Sequence, residues 1–295
     1  MKILAYRISQ KGPRALPALI DHLHGVELNA RAGIGGLRLE ERAMLSRMLV
    51  MDFAKPRGGH GPGRMSPTDP LEAIRLRQGQ DFGEDTGIAF DLQSGCAAIQ
   101  YNHFGPRPRA IEEYLWGVDL SLGGRPELRR GESDADRYGF TFGAVLTRDA
   151  YERLRTFAIV HDVSVTVALP GVTPQDFAAG RALGDILRAP LPDGTETLKI
   201  SISAGARGSL ARHGAMRMVD DIRRLGHAAQ AAVVRGKPTD DDPYEKVDLI
   251  EERLSVSADI PLGPGRRYSR DDRWHALAQA LVTWRDSGEL VGTDE

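Results

Sequence analysis

The chain has 295 residues, 41% apolar and 27% charged. These are ordinary values for a globular protein; they exclude wholesale disorder and leave room for one large domain or two moderate ones. The formal net charge is -2, one cysteine (Cys96) excludes an intramolecular disulfide or cysteine-based zinc site, and no run approaches the ~18 apolar residues of a membrane span.

Positive charge is almost all arginine, lysine occurring only at Lys2, Lys11, Lys55, Lys199, Lys237 and Lys246. Arginine suits bidentate phosphate contact, although an Arg-, Ala- and Gly-rich composition equally fits a GC-rich genome. The opening MKILAYRIS alternates like a strand and has no apolar h-region, so the expectation is a cytoplasmic protein without a signal peptide or membrane insertion.

In chain order, Met1 to Ser9 reads as a strand, Ala15 to Leu23 as a short helix, and Arg42 to Lys55 as a second strand. The glycine- and proline-rich run from Pro56 to Gly63 breaks regular structure. Asp69-Pro70-Leu71-Glu72 has the form of a capping box and predicts a short helix. Thr86 to Asn102 reads as a hairpin turning at Gln93-Ser94-Gly95, ended by His103-Phe104-Gly105-Pro106 and followed by a helix over Arg109 to Gly117. Gly123 to Tyr138 is a polar loop holding Arg125, Arg129 and Arg130 among carboxylates.

From Thr147 the pattern alternates. Helices over Arg148 to Ile159, Pro174 to Leu187 and Ser209 to Leu225 frame strands over Val163 to Leu169 and Thr197 to Ser203. Ala228 to Asp242 reads as a connector, Tyr244 to Ile250 and Leu254 to Ile260 as a hairpin. Ser269 caps a last helix whose Trp274, Leu277, Ala278 and Leu281 form an apolar stripe.

The common catalytic signatures are missing: neither GxxxxGK[ST] nor GxGxxG occurs, and no serine sits in a G-x-S-x-G elbow. Eight histidines are scattered; His22 and His24, two apart on a helix, point to different sides. The nearest approach to a nuclease set is Asp162 with Glu196-Thr197-Leu198-Lys199, but E-x-x-K puts Glu196 and Lys199 on opposite faces of a strand. The expectation is therefore binding without enzymatic chemistry, and no cofactor or metal.

The constellation that is present is basic. Arg207 precedes the third helix, Arg212, Arg217, Arg223 and Arg224 lie in it, and Arg235 and Lys237 follow. Met218, Val219, Ile222 and Leu225 gather on one arc, and the arginines with His213 are read onto the opposite arc, interrupted by Asp220. Segregated positive charge facing solvent is the footprint of a phosphate-contacting surface; a solvated helix face with Asp220 and Asp221 pairing the arginines is the competing explanation.

Gly87-Ile88-Ala89-Phe90, Asn102 to Pro106, Val163 to Pro170, Gly184-Asp185-Ile186-Leu187, the strand and basic helix of Leu198 to Leu225, and Asp248 to Pro261 together resemble the RexA family of phage exclusion proteins, over about Thr86 to Leu290. The resemblance implies a dimeric, two-domain protein that binds double-stranded DNA with little sequence preference and whose middle subdomain swings. The family's helix is lysine-rich; this one uses arginine and carries Asp220-Asp221.

The resulting expectation is an α+β, two-domain protein: a hairpin-rich body from 1–146 and 229–295, and an inserted, swivel-like α/β subdomain over 147–228. DNA contacts are expected from Arg207, Arg212, Arg217, Arg223, Arg224, Arg235 and Lys237, with Arg129 and Arg130 contributing. A homodimer is expected through Trp274, Leu281 and Trp284, with a second defence protein as a further partner. The alternatives are a metal-dependent nuclease or other effector enzyme, and a protein-interaction component of a defence system.

Overall fold

The computed structural model describes residues 1–57, 61–123, 127–130, 132–169, 172, 182–187, 191–205 and 208–290, and the chain is α+β. A first antiparallel sheet is built from β1 (Lys2–Gln10), β2 (Arg38–Leu45), β3 (Met48–Pro56), β6 (Gly83–Asp91), β7 (Cys96–Gln100), β8 (Phe140–Ala144) and β13 (Ser255–Ser257). Its order is β13-β1-β7-β6-β3-β2, and β8 lies beside β13 along the same edge of β1. Two short strands, β4 (Gly63–Arg64) and β5 (Glu72–Ala73), pair with each other apart from it.

The period of two along these strands fills two cores. Tyr6, Ile8, Met51, Phe53, Ile88 and Ile99 point to one face, against α1 (Leu16–Gly25) and α2 (Pro108–Leu122). Ile3, Ala5, Val50, Ala89 and Ala98 point to the other, against α7 (Arg270–Asp286). Burial on both faces explains why β7 is buried at every position. A short helix, α3 (Asp134–Arg137), opens on a capping box formed by Ser133 and Asp136.

A second antiparallel sheet has the order β10-β9-β11-β12, from β9 (Ile159–Ala168), β10 (Thr197–Ser203), β11 (Ala229–Lys237) and β12 (Glu245–Asp248). Its buried face carries Val163, Val165, Val167, Ile200, Ala232 and Val234, covered by α4 (Arg148–Thr156), α5 (Gly184–Leu187) and α6 (Arg212–Leu225). Its opposite face holds Lys199, Ser201, Ser203 and Arg235, all exposed.

Several expectations are corrected. Arg42 to Lys55 is two strands, because Ser46 turns the chain with a left-handed φ of 56°. No helix starts at Asp69; Ser66 takes that segment into a local turn by bonding Thr68 and Asp69. Residues 229–248, assigned above to the body, belong to the second sheet: β11 pairs along β9 from Ala229↔Val167 to Lys237↔Ile159. For the same reason 244–260 is no hairpin, since β12 pairs β11 whereas β13 pairs β1. The helix expected over Pro174 to Leu187 lies mostly outside the described residues; its end is α5. The stripe expected to dimerise is core instead: Trp274, Leu281 and Trp284 are 6%, 1% and 5% exposed beneath the first sheet.

Candidate nucleic-acid interface

α6 lies on the second sheet and also along β8, so it covers an open strand edge of the first sheet while closing the core of the second. It ends at Gly226, whose positive φ of 55° is adopted at little cost by glycine. Ala215, Met218, Val219, Ile222 and Leu225 are its buried stripe, as the spacing predicts.

The arginines do not share one surface. Arg212 and Arg223 are eleven residues apart, hence within ~20° of each other, and Arg223 lies only ~40° from Val219. Both therefore flank the apolar stripe. Arg223 is 9% exposed: its Nε–H donates to the Ala144 carbonyl at 2.8 Å, its Nη1 to Asp220 at 3.0 Å, and its guanidinium lies 5.0 Å from the Tyr151 ring centre. Burial pushes the Tyr151 phenol up, and Arg223 partly offsets that. Arg212, in the first turn, stays exposed and donates to the Arg155 carbonyl.

The solvent-facing row of α6 is His213, Arg217, Asp220 and Arg224, at i, i+4, i+7 and i+11. His213 and Arg217 are exposed, and the Arg224 side chain is 39% exposed, 4.0 Å from Asp221. Asp221 is itself buried and accepts from Leu183 N–H at 3.0 Å, so it belongs to the core more than to the surface. Arg155, whose carbonyl accepts from Arg212, is a further exposed arginine beside the helix start. It was missed because Arg155 is 57 residues upstream of Arg212 and nothing local links them.

The remaining candidates lie elsewhere. Arg207 is outside the described residues. Arg235 and Lys237 are in β11, where Arg235 points away from the buried Val234, to the face of the sheet opposite α6. There they stack around Tyr244, at 5.0 and 5.2 Å from its ring centre, with His161 at 5.1 Å. Lys237 is also occupied by Asp240, 3.5 Å away, in the acidic turn Asp240-Asp241-Asp242. Arg129 and Arg130 are exposed beyond the far end of α2, about 20 Å from its first turn, which is the end that meets α6.

That meeting is made by arginines the sequence reading passed over. Arg109, 3% exposed and paired with the buried Glu112, donates to the Arg224 carbonyl at 3.0 Å. Arg253 donates to the Gly226 carbonyl at 2.7 Å. Cations at a helix C-terminus satisfy its unpaired carbonyls and suit its dipole, and here they tie α6 to the first sheet and its helices.

The nuclease set does not converge. Asp162 pairs with Ser203 whereas Lys199 pairs with Thr166, four residues along, which is about 13 Å. Among the described residues, no group of three or more His, Cys, Asp or Glu side chains could hold a metal ion, and no helix is long and apolar enough to cross a membrane. No protein-family model matches the sequence, and no curated protein does.

Proposed function

We propose that the protein binds DNA without sequence choice, by phosphate contacts from the outer face of α6, in the bacterial defence against phage that the RexA resemblance implies. One observation carries this reading: Arg217 and Arg224 lie along one ridge of α6 with His213, Arg212 stands exposed in the first turn, and Asp220 on the same ridge is engaged by Arg223. A ridge of guanidiniums suits phosphates, and such contacts position a duplex without reading its bases.

Affinity for random-sequence duplex measured against salt tests it. Each phosphate contact contributes about 0.9 to the slope of log affinity on log salt. Replacing Arg212, Arg217 and Arg224 with alanine is expected to weaken every sequence alike and to flatten the slope by roughly one unit per contact. Undetectable binding by the wild type at ~50 mM salt defeats the proposal.

A further inference from the structure

A second basic and aromatic cluster stands on the first sheet, where β7 runs into α2. Tyr101 and Phe104 are 46% and 47% exposed, unusual for rings held in a fixed turn. Arg57 places its guanidinium 3.8 Å from the Phe104 ring centre, and Arg107 places its own 4.6 Å from that of Tyr101. His103 packs edge-on to Phe104 at 5.0 Å. Each ring thus has a guanidinium over it and about half its surface in solvent.

The turn that presents them is pinned from below. The Asn102 amide donates to the Asp85 carbonyl at 2.8 Å and its oxygen accepts from Phe104 N–H at 3.1 Å. Thr86 donates to the Pro106 carbonyl at 2.8 Å. Gly105 approaches β6 so closely that a Cβ there would lie 2.6 Å from the Thr86 hydroxyl and 2.9 Å from the Asp85 carbonyl oxygen. Nearby carboxylates are engaged: Glu84 by Arg57 at 3.2 Å, Asp85 by Arg267 and Arg273 at 2.6 and 2.7 Å. Two residues beyond Arg107, Arg109 bonds the Arg224 carbonyl at the end of α6.

We infer that Tyr101 and Phe104 form a stacking platform for unpaired bases of DNA, with Arg57 and Arg107 backing the rings. The inference rests on the DNA-binding reading and adds a substrate class, DNA with a single-stranded segment. A base has a π-face whatever its identity, so rings and guanidiniums hold single strands without sequence choice. A paired base keeps its faces inside the stack, so a duplex gains nothing from these rings.

Fluorescence anisotropy with a 15-nucleotide single strand and a duplex of the same sequence tests this, using the full chain and Tyr101→Leu, Phe104→Leu and Arg217→Ala variants of checked melting temperature. Leucine keeps an apolar side chain but offers no ring. Each leucine variant is expected to lose roughly fivefold or more in affinity for the single strand and to keep its duplex affinity, whereas Arg217→Ala weakens both. A 2-aminopurine base in the strand is expected to be quenched by the wild type and less so by the leucine variants, a readout of stacking that does not depend on affinity. Unchanged single-strand affinity and quenching in the leucine variants overturns the platform while leaving duplex binding intact. A wild type that binds neither probe overturns the DNA-binding reading, and the platform with it.

Discussion

Arg223 donates to the Ala144 carbonyl across the space between α6 and β8, at 2.8 Å, with the Tyr151 ring packed against its guanidinium. A residue read as a surface phosphate contact is thus a strut. Arg223→Ala is expected to cost about 2 kcal/mol of stability, since it strands a buried acceptor and removes packing. Arg217→Ala, on the exposed row, stays within ~0.5 kcal/mol. Urea unfolding of the two variants measures the difference; equal stabilities would refute the strut.

Arg235 and Lys237 give the converse case. They extend from the sheet face opposite α6, and Lys237 is engaged by Asp240. Replacing both with alanine is expected to leave duplex affinity and its salt slope unchanged, measured beside the Arg212/Arg217/Arg224 variant. A slope reduced by a unit or more would move the interface to the other face of the sheet.

What the sequence makes legible follows periodicity. The hairpin of β6 and β7, the strand-helix order from α4 to α6 and the capped last helix are all visible in it, because amphipathic spacing and Ser269 are local signals. Strand partners are not local. Nothing in residues 229–237 says that they pair with β9, so the segment reads as a connector, and nothing in α7 says whether its stripe meets a sheet or a second copy. For the arginines the wheel itself holds the answer: residues 212 and 223 both fall beside Val219, and only position 217, with 213 and 224, faces out. Tyr101 and Phe104 carry no signal, since an aromatic beside glycine and proline reads as an ordinary turn.

Two carboxyls under α7 set opposite responses to pH. Asp52 is 1% exposed, and burial pushes its carboxyl up despite Arg273 and Arg270. Burial also opposes ionisation of Asp85, but Arg273 and Arg267 outweigh it and hold its carboxyl below the usual range. The stabilising contribution of Asp85 is present above the unfolded value of about 4 and is lost as pH falls through its lower folded value. Asp52, raised in the folded state, gains stability on protonation, so its contribution runs the other way. Asp85→Asn is expected to flatten the acid limb of stability against pH, and Asp52→Asn to steepen it, each read by thermal melts between about pH 3 and 7.

Gly236 interrupts β11 where the chain passes over the ring of Phe157. An added Cβ would lie 2.4 Å from that ring and 2.7 Å from the Ile159 carbonyl oxygen, a backbone atom that cannot swing aside. Gly236→Ala is expected to cost roughly 1–3 kcal/mol through overpacking, and a denaturation midpoint equal to wild type would contradict it.

The pairing of Lys2 with Ser257 imposes an order of events during synthesis. Every strand of the second sheet lies between residues 159 and 248, so that sheet can close as soon as its own segment has emerged. The first sheet waits for β13 and α7, and until they arrive the apolar face formed by Ile3, Val50, Ala89 and Ala98 has no cover. Contacts between such distant segments form slowly, and uncovered apolar surface invites aggregation in the meantime. Pulse-labelled hydrogen exchange during refolding is expected to show protection in β9 and β11 before β1, and truncation before Arg270 to leave a chain that aggregates although its second sheet is complete.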